Sequence, residues 1–157
     1  MEAGRRYRVI AWWSSGKAGL AKSDSAPNAI HFTAPPEFGG LEGRWTPEDL
    51  LLCAVASCYT TTFRALADYS KLEYSDLAVH VEGTIRKADS GYEFSKIVIR
   101  PTLTIPGEDE QTRAFRLLQK AKAVCLVSRA LSINQEFDPQ VHVGESRVEF
   151  SQALPVG

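Results

Sequence analysis

Residues 45–69 read WTPEDLLLCAVASCYTTTFRALADY, and their pattern decides the fold. Thr46 stands at a helix N-cap and Pro47 at the first helical position, where a missing N–H is tolerated. Glu48 and Asp49 load the first turn with negative charge, on the positive end of the helix dipole. Thr46 and Asp49 also have capping-box spacing, with Asp in place of the usual Glu or Gln. The helix is expected to run to about Tyr69. From Leu50 to Tyr59 it is apolar nearly all the way round, broken only by Ser57. A helix lying on one sheet needs only an apolar stripe. This one asks for cover on every side, more than a chain of 157 residues is expected to supply. A homodimer packed around this helix is therefore expected.

The segments on either side read as an α+β domain. Upstream, residues 5–13 and 28–33 read as strands, joined by a turn region, SSGKAGLAKSDSAPN. Residues 34–44, APPEFGGLEGR, are rich in Pro and Gly and read as a loop. Downstream, Leu77, Val79, Val81, Gly83 and Ile85 alternate with polar residues, which is the period of a strand. KADSG (87–91) reads as a hairpin turn, and Ile97, Ile99, Leu103 and Ile105 share one face of the returning strand. Pro101 inside that strand predicts an edge or a bulge. Glu108–Glu110 opens a second helix with Ala114, Leu117, Leu118, Ala121 and Val124 at helical spacing. After a break near Cys125, SRALS continues as a short helix. Residues 140–150 read as a last strand, with Gly144 marking a bulge. The order is β-β-α-β-β-α-(α)-β. With no repeat, low-complexity tract or long linker, residues 1–157 are expected to form a single domain.

Composition narrows the function. The 18 Lys+Arg and 19 Asp+Glu leave a net charge of −1, which argues against binding nucleic acid by phosphate neutralisation. The N-terminal apolar run, Val9 to Trp13, is too short for a signal peptide. The run Leu50 to Tyr59 is too short for a membrane span. A cytoplasmic protein is expected. Three cysteines, an odd number, fit a working thiol better than a disulfide-stapled scaffold.

Cys53 and Cys58 lie on the central helix, about 140° apart on its cylinder, so they are poorly placed to share a metal. His31, His80 and His142 are scattered over strands, and no zinc site is expected. Cys53, between Leu52 and Ala54, reads as a small buried apolar residue. Cys58 is followed by Tyr59 and by Thr60, Thr61 and Thr62, where the helix turns polar, which suits a thiol at the mouth of a site. Cys125 sits at a helix start, where exposed N–H groups lower a thiol pKa.

The stretch PPEFGG…GRWTPEDLLLCAVASCYTTTF resembles the signature region of the OsmC/Ohr family, the osmotically inducible and organic hydroperoxide resistance proteins. Its Pro-Glu pair and its first cysteine are matched by Pro47-Glu48 and Cys58, eleven residues after the Pro. Cys125-Leu126-Val127-Ser128 is similar to its second cysteine motif. The resemblance spans roughly residues 12–150. It implies an intertwined α+β dimer, with antiparallel sheets wrapped around a long buried central helix. It implies a thiol peroxidase without cofactor or metal, with Cys58 as the peroxidatic and Cys125 as the resolving cysteine. The substrates it implies are organic hydroperoxides, and the reductant an external dithiol, lipoyl-type in several members.

The family also supplies an Arg from its N-terminal hairpin, oriented by the Glu of the Pro-Glu pair. Glu48 matches that Glu. Ten helical residues put Glu48 and Cys58 about 15 Å apart along the axis. A Glu48 that serves Cys58 would therefore come from the partner chain or act through a long cation. The chain departs from the family at the Arg: Lys17, in Ser15-Gly16-Lys17-Ala18-Gly19, is the best match, with Arg44 and Arg129 as other candidate cations. Lysine keeps the charge and loses the planar fork. It departs again at Leu126, where Pro is common; the turn around Cys125 is expected to be looser for it.

Two readings follow. The first is the hydroperoxide peroxidase. The second is a catalytically weak or inactive dimer that binds an apolar small molecule at the interface pocket. Acyl transfer on a Cys nucleophile is the weakest reading, because no histidine is placed beside Cys58.

Overall fold

The computed structural model describes residues 4–144. The chain divides into two compact units, one ending at Leu51 and the other beginning at Leu52.

The first unit is a three-stranded antiparallel sheet of β1 (Val9–Ser15), β2 (Ala18–Ser23) and β3 (Ile30–Phe32). The middle strand falls inside the stretch read above as a turn region. AGLAKS has little β-branched or aromatic content, so propensity conceals it. The turn itself is two residues, Gly16-Lys17, closed by Ser15 opposite Ala18, with a positive φ of 52° at Gly16. Gly at the first position of a two-residue hairpin meets that requirement without strain. Gly19 is forced by packing, since a Cβ there would lie 2.4 Å from the Phe32 ring.

Buried Thr33 ties this unit together. Its hydroxyl donates to the Lys17 carbonyl (2.9 Å) and accepts from the Leu41 amide (3.1 Å). Its own amide donates to the Trp45 carbonyl at 2.9 Å. The loop then enters α1 (Pro47–Ser70). The capping box forms in both directions. The Asp49 amide donates to Thr46 Oγ1 (3.1 Å), and the Thr46 amide donates to Asp49 Oδ2 (3.0 Å). The Thr46 hydroxyl also donates to the same Asp49 Oδ2, at 2.9 Å.

The second unit holds the core. Strands β4 (Asp76–Ala88) and β5 (Gly91–Ile105) form a long antiparallel hairpin closed by Asp89-Ser90. After one 3₁₀ turn come α2 (Gln111–Val124) and α3 (Leu126–Ala130), then β6 (Gln135–Phe137) and β7 (Gln140–Val143). Both last strands pair with β5 in parallel, so this sheet is mixed, where antiparallel pairing throughout was expected. β6 is a three-residue strand, too short to show a period. The expected strand over 140–150 is seen as β7 up to Val143, and residues 145–150 lie outside the described residues. Gly144 takes a positive φ of 123° just after the strand.

Pro101 is neither at an edge nor in a bulge. β5 is central, with β4 on one side and β6 and β7 on the other. β6 pairs with Ile97–Ile99 and β7 with Thr102–Ile105. Pro101 falls in the gap between the two, where a missing N–H is tolerated. The bulge lies elsewhere, where the register shifts between Thr84 and Ile85. Beyond that shift Ile85 becomes exposed.

The apolar face predicted for β5 forms as read: Ile97, Ile99, Leu103 and Ile105 are fully buried. Against it pack Ala114, Leu117, Leu118 and Ala121 of α2 and Val55, Tyr59, Phe63 and Ala67 of α1. Gly83 has no room for a Cβ, which would lie 2.9 Å from the Leu52 side chain of α1. Val124, expected on the buried stripe, is exposed at the end of α2.

On α1 the fully buried residues recur every fourth position, from Val55 to Ala67. The chain thus covers one stripe of a helix whose middle is apolar all round. Cys53 lies about 200° around the cylinder from Val55 and is exposed, which corrects its reading as a buried packing residue. By length and composition α1 is apolar enough to cross a bilayer, contrary to the estimate from the ten-residue run; the core helix of a water-soluble fold meets the same criterion.

The capping box gives a test. Thr46→Ala is expected to lower the stability of the chain by about 1 kcal/mol, read from chemical denaturation. Adding Asp49→Ala should cost less than its single effect, because both residues serve one device.

Candidate active site

Both candidate thiols of the expected redox pair lie in the second unit. Cys58 is on the fourth turn of α1, half-buried, beside the core residues Val55 and Tyr59. Cys125 is fully buried and extended (φ −61°, ψ 116°), joining α2 to α3. Its carbonyl accepts from the Arg129 amide (3.1 Å) and from the Ser128 hydroxyl (3.4 Å). Exposed Val124 and Leu126 flank it.

The fold brings these two cysteines together. Burial pushes the Cys58 thiol up, but hydrogen bonds outweigh it and hold the thiol below its ordinary value. They come from the Val127 amide, the Cys125 thiol, the Thr62 hydroxyl and the Leu126 amide. Thr62 lies one turn further along α1, with Oγ1 4.0 Å from Cys58 Sγ. Each donor favours the thiolate, the form that attacks an electrophile. A lowered thiol beside a second thiol can be oxidised and then trapped as a disulfide.

The helix-start argument expected a lowered thiol at Cys125, and the family resemblance expected the attacking thiolate at Cys58. The structure puts the effect on Cys58, because the first amides of α3 point across to it. The Leu126 amide is one of them. A Pro at this position would have no N–H to give, so the departure noted at Leu126 adds a donor to the thiol.

The neighbouring Tyr59 is fully buried, and its hydroxyl donates to the Leu118 carbonyl at 2.8 Å. Burial and the nearby Cys125 push its phenol well above the usual tyrosine range. Tyr59 therefore stays neutral and fastens α1 to α2 next to the thiols. Its ring also packs on Phe137 of β6, with centroids 5.9 Å apart.

The remaining candidates are placed as follows. Glu48 sits in the first turn of α1, and its Oε2 is buried with no hydrogen-bond partner. Lys17 is exposed at the β1–β2 turn, its backbone held by Thr33. Arg44 contacts His31 Nδ1 at 3.3 Å. Arg129 is exposed at the end of α3. Thr33, Thr62 and Gln135, whose amide reaches α3, were not singled out as site residues from the sequence. Only Thr62 carried a signal, as part of the polar run after Cys58. Among the described residues no three His, Cys, Asp or Glu cluster to hold a metal ion.

The chain is similar to known proteins over most of its length. The chain is 27% identical over 144 residues to the uncharacterised protein YmaD of Bacillus subtilis, covering 90% of this chain and 96% of that one. It is 25% identical over 126 residues to peroxiredoxin OsmC of Escherichia coli, covering 80% and 87%. Among solved structures, an OsmC-like protein of unknown function from Vibrio cholerae superposes with a TM-score of 0.77 at 16% identity, covering 87% of this chain and 99% of that one. The family model described as OsmC-like protein matches residues 40–139, which include the Pro47-Glu48 pair and both thiols, and the chain belongs to that family.

Proposed function

We propose that the protein is a thiol peroxidase that reduces organic hydroperoxides. The observation that carries this reading is Cys58, a thiol held below its ordinary value with a second thiol as one of its hydrogen-bond partners. The E. coli relative named a peroxiredoxin supports it at the level of the family.

The Cys58 thiolate attacks the distal oxygen of the hydroperoxide. An S–O bond forms, the O–O bond breaks, and the leaving alkoxide takes a proton to become the alcohol. Cys58 is then a sulfenic acid. The Cys125 sulfur attacks it, an S–S bond forms, and water leaves. An external dithiol, of lipoyl type in this proposal, exchanges with the disulfide and is itself oxidised. No metal or cofactor enters the cycle.

Glu48 and Lys17 are assigned on the family resemblance, Glu48 to orient a cation and Lys17 to supply it. The unpartnered Oε2 of Glu48 supports the first assignment. A cation near the departing alkoxide lowers the barrier to O–O cleavage. Residues 1–157 are taken as one OsmC-like domain, cytoplasmic, working as a homodimer. Support for the dimer comes from β1, exposed along its whole length with Val9 at 79% and Trp13 at 63%, and from the partly covered α1. Such apolar exposure is unusual for a surface facing only water.

A second reading, a dimer that binds an apolar small molecule with little turnover, is favoured by Lys17 in the place of the family Arg. Consumption of cumene hydroperoxide in the presence of dihydrolipoamide separates the two. The peroxidase reading expects sustained turnover that Cys58→Ser abolishes, and that Cys125→Ser lowers more than tenfold. Absence of turnover in the wild type supports the second reading.

The pH profile follows from the direction of the Cys58 shift. The attacking form is lost as pH falls through the thiol midpoint, so the oxidation rate should rise with pH through a midpoint below that of an ordinary thiol. Leu126→Pro should move that profile up by about one pH unit, the order of one amide hydrogen bond to a charged group. Sedimentation should give about twice the 17.3 kDa chain mass; a monomer would remove the dimer from the account.

A further inference from the structure

Gln135 stands in β6, outside the helices that carry the two thiols, yet its side chain reaches the segment after Cys125. Its Nε2 donates to the Ser128 carbonyl at 2.9 Å and approaches the Leu131 carbonyl at 3.5 Å. Those carbonyls close α3, where the Leu131 amide also donates to the Ser128 carbonyl at 3.2 Å and Gln135 adds a second donor from the sheet. The same segment is tied back to Cys125 by the Arg129 amide and the Ser128 hydroxyl, both donating to the Cys125 carbonyl. β6 is anchored in turn, with the Ile97 amide donating to the Asn134 carbonyl (2.9 Å) and Gln135 opposite Ile97 in the sheet.

The other half of the amide marks Gln135 as unusual. Its Oε1 is buried with no hydrogen-bond partner. Burying an unsatisfied acceptor is costly, and an apolar side chain of similar length would avoid the cost. The donor end must therefore matter. With two carbonyls facing Nε2, the nitrogen and oxygen ends are also fixed by the hydrogen-bond pattern.

We propose that Gln135 is a positioning residue for the thiol pair: it fixes the Cys125–Leu131 turn to the sheet, so that the Val127 and Leu126 amides and the Cys125 sulfur stay within reach of Cys58. The inference rests on the peroxidase reading only for the purpose of that geometry. Its own effect is on the Cys58 thiol.

The test is alkylation of Cys58 by iodoacetamide in the reduced full-length protein, followed against pH and resolved by peptide mass. Gln135→Met keeps length and volume and removes the donors. It should raise the midpoint for Cys58, slowing alkylation at neutral pH roughly threefold or more, while Gln140→Met on the exposed face of β7 leaves the midpoint unchanged. A folded Gln135→Met with the wild-type midpoint overturns the proposal. If that variant fails to fold by circular dichroism, Gln135→Ala takes its place, and loss of the fold in both makes Gln135 a structural residue and also overturns it. Cumene hydroperoxide is added to the same samples. If it forms no disulfide even in the wild type, the peroxidase reading fails, while the alkylation result still decides the role of Gln135.

Discussion

A thiol attacks only where its negative charge is held, and here burial alone would work against it. Cys58 sits against the core, in surroundings that favour the neutral thiol, and hydrogen bonds reverse that bias. Every donor except Thr62 comes from the short turn that begins at Cys125. The placement of that turn against α1 is the constraint on which the site depends.

Much of the second unit is arranged to hold it. Tyr59 ties α1 to the Leu118 carbonyl of α2, the helix that delivers Cys125. Ala114, Leu117, Leu118 and Ala121 seat α2 on the β5 face. Gly83 lets α1 approach the sheet at Leu52. Ser128 and Arg129 fasten α3 to the carbonyl of Cys125, and Gln135 closes its far end. Cys58 is partly exposed, and Cys125 is fully buried beside it.

The sequence made some of this legible and hid the rest for physical reasons. The start of α1 was readable because Thr46, Pro47 and Asp49 act within one turn, on groups fixed by local geometry. The β4 and β5 faces were readable because one side is buried, which imposes a period of two. Cys58 and Cys125 stood out through their local context and the family resemblance. β2 was hidden because Ala18–Ser23 is held by its neighbours on both sides and by the Gly16-Lys17 turn, against weak propensity. The parallel pairing of β6 and β7 was hidden because such short strands are placed by the sheet they join. Which thiol receives the α3 amides depends on contacts across 67 positions of chain, from Cys58 to Cys125, and no local pattern encodes that. The same holds for Gln135, whose partners are set by tertiary packing.

The central claim is that Cys58 and Cys125 form one redox couple from which Cys53 stands apart. It is tested most directly by adding one equivalent of cumene hydroperoxide to the reduced protein and mapping its peptides by mass. The account predicts loss of two hydrogens per chain and a single new cross-link, Cys58 to Cys125, with an added oxygen on Cys58 instead in Cys125→Ser. A cross-link through Cys53, or a Cys58 that stays reduced, would contradict it.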